Sequence, residues 1–214
     1  METDGPATIA RWTSEWDDLV AFEIVPVVDS NEAAAWPGPG RSPRSRRYAD
    51  DVIVLGIDPG LASTGWAIVE RSGSSLRVLA SGTLKTSPRT PHAERLRALF
   101  DGVSLVIAEH DVVGAAVESW FIHPVSKAAM GMAEARGALL VAIANAGVTV
   151  AEYPPTEIKL AVTGSGRADK EQVRAMVVRL TRHAAPTDHA ADAVAAAICF
   201  LHREPLRAAI RKAQ

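Results

Sequence analysis

The sequence predicts an α/β domain, a mixed five-stranded sheet flanked by helices in which an antiparallel three-strand meander is joined by parallel strands. Three observations predict it. Val52-Ile-Val-Leu-Gly-Ile57 is a continuous apolar run of the kind that suits a strand buried on both faces. Two more strand-like runs follow, separated by the loop Arg71-Ser-Gly-Ser-Ser75. After residue 90, helical and strand textures alternate.

The elements can be placed in order. Val52–Ile57 is the first strand and ends at the turn Asp58-Pro59-Gly60. Thr64–Glu70 and Leu76–Leu84 complete the meander. His92–Leu105 reads as a helix with Leu96 and Leu99 on its inner face, and Gly114–Glu118 as the fourth strand. Ser126–Ala146 is a long, Ala-rich helix stopped by Gly147. Val148–Tyr153 is the fifth strand. Thr156 is expected to cap a short helix to Val162, and Asp169 the next, to about His183. Thr187 or Asp188 is expected to cap the last helix, to about His202.

Three segments follow from texture: residues 1–50 as an extension, 51–204 as the folded domain, and 205–214 as a basic tail. Within the extension, Trp12 to Val25 could form a short amphipathic piece, whereas Trp36 to Arg47 is rich in Pro, Gly and Arg and reads as a linker. A poorly ordered extension is the expectation from composition. Net charge is −2. Residues 1–50 hold nine acidic and five basic side chains, −4, which leaves sixteen acidic and eighteen basic for the rest, +2. That balance permits DNA binding, the more so if cations neutralise some carboxylates. The single cysteine, Cys199, cannot form an internal disulfide, which fits a reducing cytoplasm. The acidic start does not read as a secretory signal, and no stretch is long and apolar enough to span a bilayer.

Four residues carry the candidate chemistry. Asp58 and Glu118 each end a buried strand, where a carboxylate is costly unless it is paired or binds a cation. If those strands are neighbours, the two acids converge at one sheet edge. His189 and Asp192, three apart at the start of an Ala-rich helix, share a face and can point at one site. Taken singly, such residues also fit ordinary turn and helix-cap roles. Together they are three carboxylates and one imidazole, a donor set suited to Mg²⁺ or Mn²⁺. Two ions roughly 4 Å apart in such a cluster would clamp an in-line displacement at a phosphodiester. No lysine-containing Walker phosphate loop is present.

Five segments then resemble one family in order and spacing. Leu55-Gly-Ile-Asp-Pro-Gly-Leu-Ala-Ser-Thr-Gly65 is similar to the first-strand motif of RuvC-type Holliday-junction resolvases. Ala116-Val-Glu-Ser-Trp-Phe121 resembles their second motif and Met130–Gly137 their long central helix. Thr156–Gly164 with Gly166–Val173 resembles the basic stretch that meets DNA, and His189–Ala195 the final metal-binding helix. The resemblance covers about Val52 to His202.

It implies an RNase H-like fold and a crossover junction endodeoxyribonuclease that makes paired, metal-dependent nicks in a four-way junction. It assigns Asp58, Glu118, His189 and Asp192 to the catalytic metal site, with Mg²⁺ or Mn²⁺, two ions per site. It places Lys159 and Lys170 against the DNA backbone and Phe121 at the junction centre, where an aromatic face can stack on an unpaired base. It implies a homodimer; Ala129, Met132, Ala133 and Arg136 recur at helical spacing on the long helix and are the expected interface. A branch-migration motor of a bacterial or phage-infected cell would be a further partner. Residues 1–50 lie outside the family pattern. Two other readings are a related nuclease for other branched DNA or structured RNA, and an actin-like ATPase or sugar kinase suggested by Gly56-Ile-Asp-Pro-Gly60. The second needs two similar domains, for which about 150 residues are too few.

Overall fold

The computed structural model describes residues 51–119 and 127–213 together with the strand 20–26; side chains are described within 51–119 and 129–204. In chain order the elements are β1 (Val20–Pro26), β2 (Val52–Asp58), β3 (Ser63–Ser72), β4 (Ser75–Thr86), α1 (His92–Ala108), β5 (Gly114–Glu118), α2 (Lys127–Asn145), β6 (Thr149–Tyr153), α3 (Pro155–Thr163), α4 (Lys170–Thr181) and α5 (Asp188–Ala213). They build one sheet in the order β1-β4-β3-β2-β5-β6. β2, β3 and β4 are the antiparallel meander, while β5 pairs parallel with β2 and β6 parallel with β5.

The sheet has one strand more than the five expected. β1 comes from the extension and pairs antiparallel with β4, Val20 opposite Thr86 and Pro26 opposite Ala80. A poorly ordered extension is therefore not the description of residues 20–26. Their alternation, Val20, Phe22, Ile24, suits a strand.

The sheet is packed on both faces, and strand parity sorts the side chains. Ile53, Leu55 and Ile57 of β2 join Trp66, Ile68, Ala115 and Val117 beneath α1 and α2, where Leu99, Val103, Leu139 and Ile143 complete the layer. Val54 of β2 joins Ala67, Val69 and Ala116 on the other face, beneath α5. There the helix supplies Ala193, Val194, Ala196, Ala197 and Ile198, all 1% exposed or less. Burying a Leu or Ile side chain contributes roughly 1.5–3 kcal/mol.

Gly56 explains the alanines. A Cβ at Gly56 would lie 1.9 Å from the Ala193 carbonyl oxygen, and one at Gly65 would lie 2.0 Å from that of His189. The backbone of α5 thus rests on the backbone of β2 and β3.

Helix ends follow local chemistry, with two departures from expectation. Asp169 caps α4 in a capping box, accepting from the Gln172 amide at 2.8 Å while Gln172 accepts from the Asp169 amide at 3.0 Å. Thr187, one of the two expected candidates, accepts from the Ala190 amide at 3.1 Å at the start of α5. Thr156 does not cap α3. Pro154 occupies the cap position with no side-chain bond, and Pro155 starts the helix. A proline there has no N–H to satisfy and a pre-set φ, so no side-chain cap is required.

The second departure is length. α5 runs to Ala213, through Pro205, so residues 205–213 are helix rather than a separate tail. Proline has no N–H for the carbonyl four residues back, here that of Leu201. Arg71 of β3 donates to that oxygen at 2.6 Å. A side chain from the sheet thus replaces the missing helical donor.

Candidate active site

One row of residues crosses the sheet on the α5 face. Asp58 is the register partner of Gly65, and Gly65 of Thr83. On the other side, Ile57 pairs with Val117, so the next positions, Asp58 and Glu118, are neighbours at the ends of parallel strands. The start of α5 lies across this row. His189 Nδ1 is 2.7 Å from Asp58 Oδ2, and Asp192, one helical turn on, faces the same carboxylates. The structure thus brings the four candidate residues, Asp58, Glu118, His189 and Asp192, near one another.

The carboxylates repel one another in a partly dehydrated place. Burial pushes the Glu118 carboxyl up to about 7, helped by the negative charges of Asp58 and Asp192 and opposed by Lys159 and Lys170. Burial also raises Asp58, against the hydrogen bond and charge of His189. It raises Asp192 against the charge of Lys170. Lys170 is close by, with Nζ 3.2 Å from Asp188 and 3.5 Å from Asp192. Arg174 holds the other Asp188 oxygen at 2.7 Å. Lys159 is half-buried in α3 and its charge reaches Glu118.

As placed, Asp58 is bonded to His189 and Asp192 to Lys170. Among the described residues no three His, Cys, Asp or Glu side chains are drawn tightly enough together to enclose an ion. The donor set nevertheless fits a hard divalent cation: three carboxylates with raised pKa, whose mutual repulsion a cation would relieve, and an imidazole beside them. Side-chain rotation alone brings such strand-end and helix-face groups together.

The other expected residues divide. Phe121 lies outside the described residues. On α2, Ala129 and Met132 are half-buried and Ala133 is exposed. Arg136 is half-buried and forms an ion pair with Glu152 of β6. The sequence reading missed Arg174, which follows Lys170 by one helical turn, a signal that was available. It also missed the two glycines that admit α5; glycine on the same strand face as the carboxylates was their signal.

The comparisons with known proteins bear on this arrangement. The family model Crossover junction endodeoxyribonuclease RuvC matches residues 54–200.

The chain belongs to the RuvC family.

A curated RuvC of Alkalilimnicola ehrlichii is 45% identical over 161 residues, which is 75% of this chain and 97% of that protein. The RuvC of Halorhodospira halophila is 46% identical, over 73% of this chain and 95% of its own length. Among solved structures, RuvC of Thermus thermophilus in complex with Holliday junction substrate is 33% identical, with a TM-score of 0.69, over 73% of this chain and 96% of that one. RuvC folds are RNase H-like, and the sheet and flanking helices described above are that fold. A second model, a domain of unknown function (DUF3303), matches residues 1–39. Among the described residues no helix is long and apolar enough to cross a membrane.

Proposed function

We propose that this chain resolves four-way DNA junctions by metal-dependent phosphodiester hydrolysis, with Asp58, Glu118, His189 and Asp192 as the metal-binding residues. The observation that carries the reading is the convergence of three carboxylates, from β2, β5 and α5, on one partly buried sheet edge, in a chain of the RuvC family. Mg²⁺ or Mn²⁺, two ions per site, is the cofactor that the donor set favours. Such cations supply an activated water and stabilise the leaving oxygen.

The chain's own residues do the rest. Asp58 and Glu118 offer oxygens from rigid strand ends, and the first turn of α5 brings Asp192 and His189 over them. Lys170 bridges Asp188 and Asp192, and were Asp192 to hold a cation, the Lys170 ammonium would be free to bind a phosphate oxygen. Lys159 stands on the same side of Glu118. Phe121, in the segment after β5, would stack at the junction centre.

The test is a labelled four-way junction and a matched duplex, each incubated with the protein, with and without Mg²⁺ or Mn²⁺. Cutting of the junction alone, and only with cation, is the expected result. Asp58→Asn, Glu118→Gln and Asp192→Asn each lower it by at least about a hundredfold, beyond the effect of losing an outer-shell partner, and leave junction binding intact. Cutting by any of the three at the wild-type rate removes that residue from the site.

Paired nicks in a two-fold junction call for two sites related by a two-fold axis. α2 favours the dimer. Leu139, Ala142 and Ile143 bury one side of it, yet Met130 and Val141 stay more than half exposed, with Ala133 beside them. Met130→Glu, on that exposed side, is expected to yield a folded monomer that makes no paired cuts. A wild-type protein that sediments as a monomer at micromolar concentration, with and without junction, overturns the dimer.

A further inference from the structure

We infer that Thr83 and Thr187 form a positioning pair that sets the first turn of α5, and with it His189 and Asp192, over the carboxylates of the sheet. The inference rests on the reading of His189 and Asp192 as metal ligands.

Thr83 sits in the row that carries the site, cross-strand from Gly65, which is itself cross-strand from Asp58. It is 1% exposed, an expensive place for a hydroxyl without a partner. Its Oγ1 lies 2.6 Å from Thr187 Oγ1. That same Thr187 oxygen accepts from the Ala190 amide. A chain of bonds therefore runs from the central sheet, through two hydroxyls, to the backbone between His189 and Asp192. Two residues back along β4, on the same face, buried Ser81 is 3.0 Å from His183 Nε2. Burial lowers the His183 pKa and so favours the neutral ring. The connection from α4 to α5 is thus fastened to β4 at both ends, at His183 and at Thr187.

The glycines limit what this pair must do. With no Cβ at Gly65, the His189 carbonyl rests directly on β3. This contact fixes the height of α5 above the sheet but not its rotation or its slide along it. The Thr83–Thr187 bond supplies a lateral anchor. A rotation of one helical position, about 100°, would turn Asp192 away from Asp58 and Glu118. A metal site is sensitive to such errors, and outer-shell partners that orient ligands typically change affinity or activity 10–100-fold.

The test uses the full chain and reads metal binding apart from turnover. Mn²⁺ binding is titrated calorimetrically to wild type, Thr83→Val, Thr83→Ser and Asp192→Asn. Thr83→Val keeps the shape and removes the hydroxyl; it is expected to weaken Mn²⁺ binding about tenfold. Its cleavage recovers at high Mn²⁺, and its cation-free junction binding matches wild type. Thr83→Ser, which restores the hydroxyl, is expected to bind Mn²⁺ as wild type does. Mn²⁺ binding by Thr83→Val equal to wild type overturns the inference, and so does a Thr83→Ser as impaired as Thr83→Val. If Thr83→Val does not fold, Thr187→Val removes the other half of the pair and carries the same expectations. Asp192→Asn separates the layers: weakened binding in that variant beside an unaffected Thr83→Val sinks the positioning pair alone, while wild-type binding by Asp192→Asn sinks the metal-site reading and this inference with it.

Discussion

The two faces of β2 are built on opposite rules. Toward α1 and α2 the strand presents Ile53, Leu55 and Ile57, which meet Leu99, Val103, Leu139 and Ile143. Toward α5 it presents Val54, Gly56 and Asp58 to a helix start made of alanine. The first face is held by large side chains that interdigitate. The second is held by backbone resting on backbone. Asp58, Glu118, His189 and Asp192 all lie on or over the second face. Bulky side chains fill space but leave the distance between layers adjustable, whereas glycine against a helix carbonyl fixes that distance to a fraction of an ångström. Ligands borne by both sheet and helix need the latter.

The strongest way to break this contrast is to add one carbon to the second face and remove several from the first. Gly65→Ala puts a methyl 2.0 Å from the His189 carbonyl oxygen. Overpacking of this kind costs about 1–3 kcal/mol, and the helix can only move off the site. Cleavage per folded molecule is expected to fall at least about a hundredfold. Leu55→Ala costs about 2–5 kcal/mol, so it destabilises as much or more. Its folded fraction should still cut within a few fold of wild type. Thermal unfolding and a single-turnover junction assay on both variants decide the matter; equal losses of cleavage per folded molecule would show that the two faces do not differ in this way.

A smaller effect sharpens the contrast through pH. The Glu118 carboxyl is raised from 4.5 to about 7 in the folded chain, so between those values the folded state holds more proton than the unfolded one. The resulting stability is fully present below the ordinary carboxylate range and is lost as pH rises through about 7. His183, shifted downward, acts oppositely but only below its ordinary value of 6.5. Between pH 6.5 and 8, in chelator, wild type should therefore lose melting temperature as pH rises. Glu118→Gln should lose less, and at pH 8 should melt higher than wild type by about 2–4 °C for each kcal/mol recovered. Parallel melting curves for the two proteins across that window would mean that the carboxylates of this face do not strain it.

The smallest effect concerns the edge that the contrast leaves out. The family model begins at residue 54, after the extension. Removing residues 1–50 is thus expected to leave cleavage unchanged within about twofold, since both faces of β2 remain intact. It uncovers the backbone donors and acceptors of β4 that β1 now pairs, so the truncated protein should aggregate sooner on heating. Lost cleavage after truncation would make β1 part of the site's support.

Most of the fold was legible because its signals are local. β2 through β6 show themselves by apolar runs and turns within a few residues, and Asp169 with Gln172 announces α4. The convergence of the four candidate site residues was legible because each stands at a strand end or on one helix face beside a glycine- or alanine-rich stretch. What escaped depends on partners far away in sequence. β1 exists by pairing with β4, some sixty residues later. α5 continues past Pro205 because Arg71, 130 residues earlier, satisfies the Leu201 carbonyl. Thr83 reads as an ordinary strand threonine until Thr187 is placed beside it.

α5 follows every described strand of the sheet, and it covers the second face of β2 while carrying two of the four proposed ligands. A polypeptide emerging from the ribosome can assemble the meander, α1, β5 and β6 early, but until α5 is synthesised it lacks the cover of the second face and two of the four proposed ligands. Long-range closure of this kind is slow compared with local helix and hairpin formation. A chain cut short before α5, by interrupted translation or a premature stop codon, is therefore expected to lack cleavage, because it lacks His189, Asp192 and the cover of the sheet's second face.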